Sequence, residues 1–282
     1  GIHLKNSPQW TVHPYFSKDV NFYDFKITNP KISPNTDGIN PQCCDGVNII
    51  GIHFSVGDDC IAIKSGKIYI GKKYKTPSQN ITIRNCLMQF GHGAIVLGSE
   101  MSGGVKNLKV ERCYFDHTDR GLRIKTRRGR GNTAIIDNVE FNNIYMDNVL
   151  TPLVINMFYF CDPDGKTEYV YSKEKWPVDE RTPYLGKFTF NNIIAENSEV
   201  CAGYFYGLPE MFIKEININD SVFTFKEDAK PDKPAMMSFI EDHVKSGFVF
   251  NNVETVNLKN VVVKGQIGKE FNSDGNGIVN YE

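Results

Sequence analysis

The segment Asn80–Cys86 reads NITIRNC, and the segment Asn107–Cys113 reads NLKVERC. Each begins with Asn, alternates apolar with polar side chains and ends on Cys. Looser copies begin at Asn48 and Asn138, so that successive leading Asn residues stand 32, 27 and 31 positions apart. Alternation with a period of two is typical of a strand that buries one face. A strand that recurs at this interval predicts a stack of similar β-coils.

The repeat extends along nearly the whole chain. Weaker copies lie at 187–195, 213–223 and 255–264, and no stretch has the pattern of a long amphipathic helix. A β-propeller would need longer four-stranded units, and a β-sandwich would lack Asn at equivalent positions. We therefore predict an all-β fold, a single-stranded right-handed parallel β-helix, with residues 1–282 in one domain. We expect its corner Asn residues to form structural ladders, because Asn tolerates the turn between strands.

The composition limits the classes of partner. Of the 282 residues, 40% are hydrophobic, which is enough for a substantial core. The 32 basic residues nearly balance the 33 acidic ones, giving a net charge of −1. This balance argues against a general nucleic-acid or membrane-surface binder, so an anionic partner must be met locally. The sequence has no apolar run of the length that spans a membrane.

The seven cysteines are an odd number and lack the spacing of a zinc site, so neither a metal centre nor a disulfide framework is expected. Cys86 and Cys113 each follow an Asn by six positions, which predicts equivalent inward positions on adjacent coils. Cys60 stands beside two acids but lacks a His arranged as its base, so we do not expect it to be catalytic. Free thiols fit a cytoplasmic protein, and the sequence fits an exported one equally well.

Two short turns concentrate carboxylates. Asn35-Thr36-Asp37-Gly38 is followed by Gly57-Asp58-Asp59-Cys60, with strand-like runs on either side. Hydrolysis of a glycosidic bond needs one carboxylic acid to protonate the leaving oxygen and a carboxylate to activate water, so these turns supply the required groups. The alternative is ordinary turn chemistry, because Asp side chains hydrogen-bond nearby backbone.

Two further blocks follow in order, Gly91-His92-Gly93 and Arg123-Ile124-Lys125. The four blocks together resemble the motifs of family-28 glycoside hydrolases, the polygalacturonases, and the similarity of pattern runs from about residue 5 to about residue 265. The resemblance implies the same β-helix and an inverting reaction without metal or organic cofactor. It makes Asp58 the general acid, with Asp37 and Asp59 holding and deprotonating the water. Family members carry several coils before the Asn-Thr-Asp turn, so we expect this chain to lack N-terminal coils.

The remaining blocks are assigned to positioning and binding. His92, between two glycines, is expected to hydrogen-bond and tune Asp58, the alternative being a buried structural His. Arg123 and Lys125 alternate along a strand and so face the same side, where they would bind a substrate carboxylate. The resemblance adds Asn35 and Tyr159 as substrate contacts.

The run from Arg120 to Arg130 holds six basic residues in eleven. Such a run is typical of a nucleic-acid or heparin patch. The near-neutral chain favours instead a local clamp for an anionic sugar.

Two segments interrupt the repeat. Residues 156–186 form a long loop that we expect to wall the groove, the alternative being a plain surface excursion. A wall at one end of a groove favours exo-action on a polymer. The charged segment Glu227–Pro234 is expected to be a solvated connection without a chemical role.

The sequence thus predicts an inverting hydrolase of α-1,4-galacturonide linkages in polygalacturonate or pectin, exo-acting, for which an extracellular or periplasmic location is plausible. The alternatives are a rhamnogalacturonan or substituted-pectin hydrolase of the same family and a β-helical pectate lyase, which would need calcium-binding acids and an Arg base. The non-enzyme alternative is a tailspike-like carbohydrate-binding module, which would be favoured by loss of one of the three Asp residues.

Overall fold

The alternating segments form strands in a computed structural model, which describes residues 1–67 and 73–282. Within these ranges there are 22 strands. They are β1 His3–Lys5, β2 Lys18–Tyr23, β3 Lys26–Thr28, β4 Asp45–Ile50, β5 His53–Ser55, β6 Ile61–Ile63, β7 Ser78–Arg84, β8 Leu87–Gln89, β9 Ile95–Leu97, β10 Val105–Glu111, β11 Tyr114–Asp116, β12 Arg120–Lys125, β13 Ile135–Asp147, β14 Thr151–Asn156, β15 Tyr184–Leu185, β16 Lys187–Ser198, β17 Cys201–Tyr206, β18 Ile213–Phe225, β19 Ser246–Asn251, β20 Val253–Lys264, β21 Phe271–Ser273 and β22 Ile278–Tyr281.

The strands pair in parallel with strands one coil away, in two long sheets. One sheet has 15 strands and the other has seven, in the order β21-β19-β17-β14-β12-β9-β6. Parallel neighbours joined by a full turn of chain are the arrangement of a parallel β-helix, and such crossovers are right-handed almost without exception. The predicted fold class is confirmed. The weaker repeat copies are also strands, β16, β18 and β20.

The core is a set of apolar columns that run along the helix axis. Ile81 pairs in register with Leu108, and Leu108 with Val139, and each of the three is 1% exposed. Burying a side chain of this kind contributes about 1.5–3 kcal/mol relative to exposure, so every coil adds a comparable increment. Cys86 and Cys113 occupy equivalent inward positions, as predicted, and are 3% and 4% exposed.

The predicted Asn ladders are present at the coil corners. Asn138 donates its side-chain amide to Asn107, and Asn107 to Asn80, both at 2.9 Å. All three residues have φ near +55°, a left-handed conformation that Asn adopts more easily than most residues. Asn48 does not belong to this ladder, because it pairs with Thr82, two residues beyond Asn80. The residue equivalent to Asn80 is Gly46, with φ +74°, since Gly adopts this conformation without a side chain.

Two excursions leave the coil stack. The first contains a 3-10 turn at Pro163–Lys166 and the short helix α1 at Glu168–Tyr171. None of the described helices has the length and apolarity that a membrane span requires. The second excursion, after β18, folds back over the seven-stranded sheet, where Tyr159 and Met237 form an antiparallel bridge.

Candidate active site

The coil register brings the two acidic turns side by side. Gly38 N donates to Asp59 O at 3.0 Å, and Ile39 pairs with Ile61, so Asp37 and Asp59 hold equivalent positions on consecutive coils. A Cβ on Gly38 would lie 2.4 Å from the Cys60 carbonyl oxygen. Glycine is therefore needed at this position for the two acidic coils to stack.

The three carboxylates form one cluster. Asp37, Asp58 and Asp59 each have a carboxylate oxygen within 4.8 Å of the others. Asp37 and Asp59 are 3% and 1% exposed, whereas Asp58 is partly exposed to the groove. Asp58 accepts hydrogen bonds from the backbone N–H groups of Asn35 at 3.1 Å and Asp59 at 2.9 Å, which fix its orientation.

Burial and neighbouring charges shift the pKa values of two of these acids in opposite directions. Burial raises the pKa of Asp37 to about 7, and the negative charges of Asp59 and Asp58 add to the effect. Burial also acts on Asp59, but the adjacent cations Lys125 and Arg123 outweigh it and hold the pKa of Asp59 below its usual value. At neutral pH the cluster therefore combines an ionised carboxylate with a carboxyl that retains a proton for much of the time.

Lys125 and Arg123 face the same side of β12, as predicted, and both adjoin Asp59. Lys125 Nζ donates to Asp59 Oδ2 at 2.7 Å, and Arg123 Nη1 lies 3.6 Å from Asp59 Oδ1. Gly93 provides the space for this approach, since a Cβ there would lie 2.4 Å from Val96 Cγ2 and 3.4 Å from Asp59 Oδ1. The two cations were predicted to bind a substrate carboxylate, and the structure adds that Lys125 stabilises the charge of Asp59.

His92 has a different partner from the one expected. Its Nδ1 lies 2.7 Å from Asp119 Oδ2, so the hydrogen bond predicted to Asp58 is replaced by one to Asp119. This hydrogen bond raises the pKa of His92, with smaller contributions from the charges of Asp58 and Asp59. The ring is half exposed, which excludes the alternative of a buried structural His.

All eight residues predicted for the site line one cavity of about 470 Å³. They are Asn35, Asp37, Asp58, Asp59, His92, Arg123, Lys125 and Tyr159. Tyr159 is 6% exposed, and its ring centroid lies 5.9 Å from Lys125 Nζ. Six further lining residues were not predicted, Trp10, Lys64, Ser99, Glu100, Asp119 and Met236, and Arg120 of the basic run also lines the cavity. Coil register could have identified Trp10, which stands at the position of Asp37 one coil earlier.

The segment 232–237, which we call the strap, contributes Met236 to the lining of the cavity. Arg120 Nε and Nη2 donate to the carbonyl oxygens of Pro234 at 3.0 Å and Lys233 at 2.6 Å. Asn156 donates to the Met236 carbonyl at 3.0 Å, and the Met236 side chain lies against Arg123. Most of Glu227–Pro234 is exposed, as expected for a solvated connection, but Pro234 is buried and the end of the segment is held by Arg120. Of the loop 156–186, only Tyr159 lines the cavity, so most of that loop is a surface excursion.

The proposed sugar clamp is wrong for three of its six basic residues. Arg127, Arg128 and Arg130 are at most 4% exposed and do not line the cavity. Arg128 forms an ion pair with Glu210 at 2.5 Å. Arg127 and Arg130 pair with Asp162, and Arg127 also with Asp164. These arginines hold the first excursion to the coil stack.

The surroundings of the cluster disfavour a metal site and a cysteine nucleophile. Three carboxylates are a donor set for a hard cation such as Ca²⁺. Here, however, one oxygen of Asp59 already accepts a hydrogen bond from the positively charged Lys125 ammonium. The Cys60 thiol is fully buried, which raises its pKa, so it is not a nucleophile.

Comparison with known proteins agrees with this geometry. Residues 1–176 match the model of glycosyl hydrolases family 28. A probable polygalacturonase of Vitis vinifera is 42% identical over 202 residues, which are 71% of this chain and 38% of that protein. The chain thus spans well under half the length of this curated relative.

Solved structures show the same fold. A hyperthermoactive exopolygalacturonase from Thermotoga maritima superposes with a TM-score of 0.75 at 28% identity, covering 94% of this chain and 51% of that one. A family 28 exopolygalacturonase of Yersinia enterocolitica superposes with a TM-score of 0.73 at 18% identity, covering 99% of this chain and 44% of the other. At 18% identity, the Yersinia enterocolitica structure is similar to this chain in fold alone.

Proposed function

The chain belongs to the glycosyl hydrolases of family 28, and from this premise we propose that it hydrolyses α-1,4-galacturonide linkages of polygalacturonate with inversion at the anomeric carbon. The observation that carries the proposal is the cluster of three carboxylates beside Arg123 and Lys125 in one cavity. Carboxylates supply the acid and base of glycoside hydrolysis. The cations suit a substrate that carries a carboxylate on every sugar.

Asp58 is the proton donor in this proposal. Of the three acids it is the one that is partly exposed to the groove, where a glycosidic oxygen would lie. The protonated Asp37 is adjacent, so the cluster retains a proton near neutral pH. His92, held by Asp119, places a second polar group at the same edge of the cavity.

Asp59 is the base that activates the water, and Asp37 helps to hold it in place. No donor among the described residues hydrogen-bonds Asp59 Oδ1, although this oxygen is buried. Its lone pairs can therefore accept a hydrogen bond from the attacking water, while Lys125 keeps the group ionised. Inversion follows when this water attacks the face of the sugar opposite to the leaving oxygen.

Arg123 and Arg120 present positive charge in the same cavity, with Tyr159 and Asn35 at its border. Arg123 is the residue assigned to the uronate carboxylate, because its planar guanidinium can bind a carboxylate through two parallel hydrogen bonds. Met236 of the strap lines the groove beside Arg123, and a wall at this position supports cleavage at a chain end.

The test is incubation of the protein with polygalacturonate, followed by proton NMR of the first products. Saturated products that first appear as the β-anomer are expected, and the Asp59→Asn variant should release none. Products with the ultraviolet absorbance of an unsaturated uronide would show a lyase instead. Binding of the polymer without any cleavage would show a carbohydrate-binding module.

A further inference from the structure

The column that contains the catalytic acids continues one coil further, to Trp10. Thr11 N donates to Asp37 O at 2.9 Å, just as Gly38 N donates to Asp59 O at 3.0 Å. Trp10, Asp37 and Asp59 therefore hold the same position on three consecutive coils, at intervals of about 4.8 Å. Trp10 is half-buried and lines the same cavity as the acids. An indole ring thus lies on the groove wall one step beyond Asp37.

An ion pair stands next to this ring. Lys64 Nζ lies 4.4 Å from the centroid of the Trp10 ring and donates to Glu100 Oε2 at 2.8 Å. Lys64 also donates to the Gly98 carbonyl at 3.3 Å. An ammonium has three N–H groups. Two of them donate to Glu100 and to the Gly98 carbonyl, and the positive charge also interacts with the face of the indole ring. The Lys64 side chain is 5% exposed, so it is fixed in this position.

Glu100 offers acceptors to the cavity. Its side chain is 17% exposed and lines the pocket. Among the described residues, Lys64 is the one side chain that donates a hydrogen bond to Glu100. It donates to only one of the two carboxylate oxygens, Oε2. A carboxylate accepts about four hydrogen bonds, so capacity remains for hydroxyl groups of a ligand. Burial raises the pKa of Glu100, but the Lys64 charge outweighs it and keeps the group ionised.

An ionised carboxylate beside an aromatic face is suited to a sugar ring, which has hydroxyl groups at its edge and C–H bonds on its faces. We propose that Trp10 and Glu100 form a further sugar-binding subsite, which holds a third galacturonosyl residue beyond the two that flank the scissile bond. Trp10 packs against the face of that sugar, Glu100 accepts hydrogen bonds from its hydroxyls, and Lys64 is a positioning residue for Glu100. This inference rests on the proposed function, because it assumes a galacturonate oligomer in the groove.

The dependence on substrate length tests the subsite. Trp10→Ala and Glu100→Gln should lower kcat/KM more for trigalacturonate than for digalacturonate, so that the ratio of the two values falls about tenfold, equivalent to about 1.4 kcal/mol. Gln keeps the size of Glu and can still accept from Lys64. The matched controls are Trp176→Ala and Glu254→Gln, because neither residue lines the cavity and Glu254 belongs to the exposed Lys214 pair. Equal losses for both substrates would show a merely structural role and overturn the inference.

A binding measurement separates this inference from the proposed function. The chain has two tryptophans, so a Trp176→Phe variant reports on Trp10 alone. Trigalacturonate should change its fluorescence, and adding Glu100→Gln should weaken that binding about tenfold. If this occurs in a protein that hydrolyses no galacturonide, the subsite stands and the proposed reaction fails. Saturating trigalacturonate that leaves the Trp10 emission unchanged would overturn the subsite.

Discussion

Replacing Asp37 by Asn should stabilise the fold at neutral pH while abolishing hydrolysis. The pKa of Asp37 is raised from 3.8 to about 7 in the folded protein, so the unfolded chain loses this proton more readily. The group therefore destabilises the folded state increasingly as pH rises from about 4 to about 7, and fully above that range. Chemical denaturation should show the variant more stable than wild type by about 2–4 kcal/mol at pH 8, with little difference at pH 4.

The matched control for this substitution is Asp45→Asn. Asp45 is half-buried, and hydrogen bonds from Gln79 and Asn80 lower its pKa, so its removal should give no gain at pH 8. A wild type as stable as the Asp37→Asn variant at pH 8 would show that the buried acid carries no penalty.

Lys125 is expected to matter for stability as well as for catalysis. Lys125→Met leaves Asp59 buried without its ammonium, which should cost about 3–5 kcal/mol of unfolding free energy. Adding Asp59→Asn should recover a large part of this loss, because the uncompensated charge is removed. Lys214→Met breaks an exposed pair and should cost at most about 1 kcal/mol. Additive losses in the double variant would mean that the two residues act independently.

The identity of the acid is tested with the leaving group. Asp58→Asn should reduce cleavage of polygalacturonate by roughly 10²–10⁴, the usual contribution of a general acid. An aryl galacturonide whose leaving group needs no proton should escape most of this loss, whereas Asp37→Asn and Asp59→Asn should impair both substrates. Rescue in Asp37→Asn but not in Asp58→Asn would move the acid to Asp37, the residue with the raised pKa.

At the scale of elements, the strap is expected to set where the polymer is cut. Met236→Gly combined with Asn156→Ala removes the side chain over Arg123 and one backbone tether. Longer products should then appear, and solution viscosity should fall faster for each reducing end released. Phe239→Gly is the control, since Phe239 is 84% exposed and does not line the cavity. An unchanged product pattern would remove the strap from any role in chain-end cleavage.

The sequence predicted the elements well where a local pattern determines them. Alternation identified the long strands, and four motifs identified residues that meet in one cavity. The register between coils was harder to predict from the sequence. Asn48 was aligned with Asn80 because Gly46, the true equivalent of Asn80, has no side chain to mark the corner. The strap was missed because its backbone carbonyls, which carry no sequence signal, contact Arg120. The roles of Arg127 and Arg128 were misjudged because their partners are 35 and 82 residues away.

At the scale of the whole molecule, the coil stack should protect its thiols. Six of the seven cysteines are buried, and Cys161 is half-buried. A thiol reagent should modify about one group in the native protein and seven after denaturation, and the Cys161→Ser variant should react with none in the native state. Rapid modification of several thiols without denaturant would show that the coils open locally.

The pairing of Lys125 with Asp59 also has a consequence for protein synthesis. The two residues are 66 positions apart, so a ribosome adding about 5–20 residues per second delivers the ammonium roughly 3–13 seconds after the carboxylate. In that interval the coils that hold Asp37 and Asp59 can stack only with an acid that lacks its main counter-charge. Translation past β12 therefore turns an unfavourable nascent stack into a stable one, and a pause before residue 125 would prolong exposure of the growing chain to proteases.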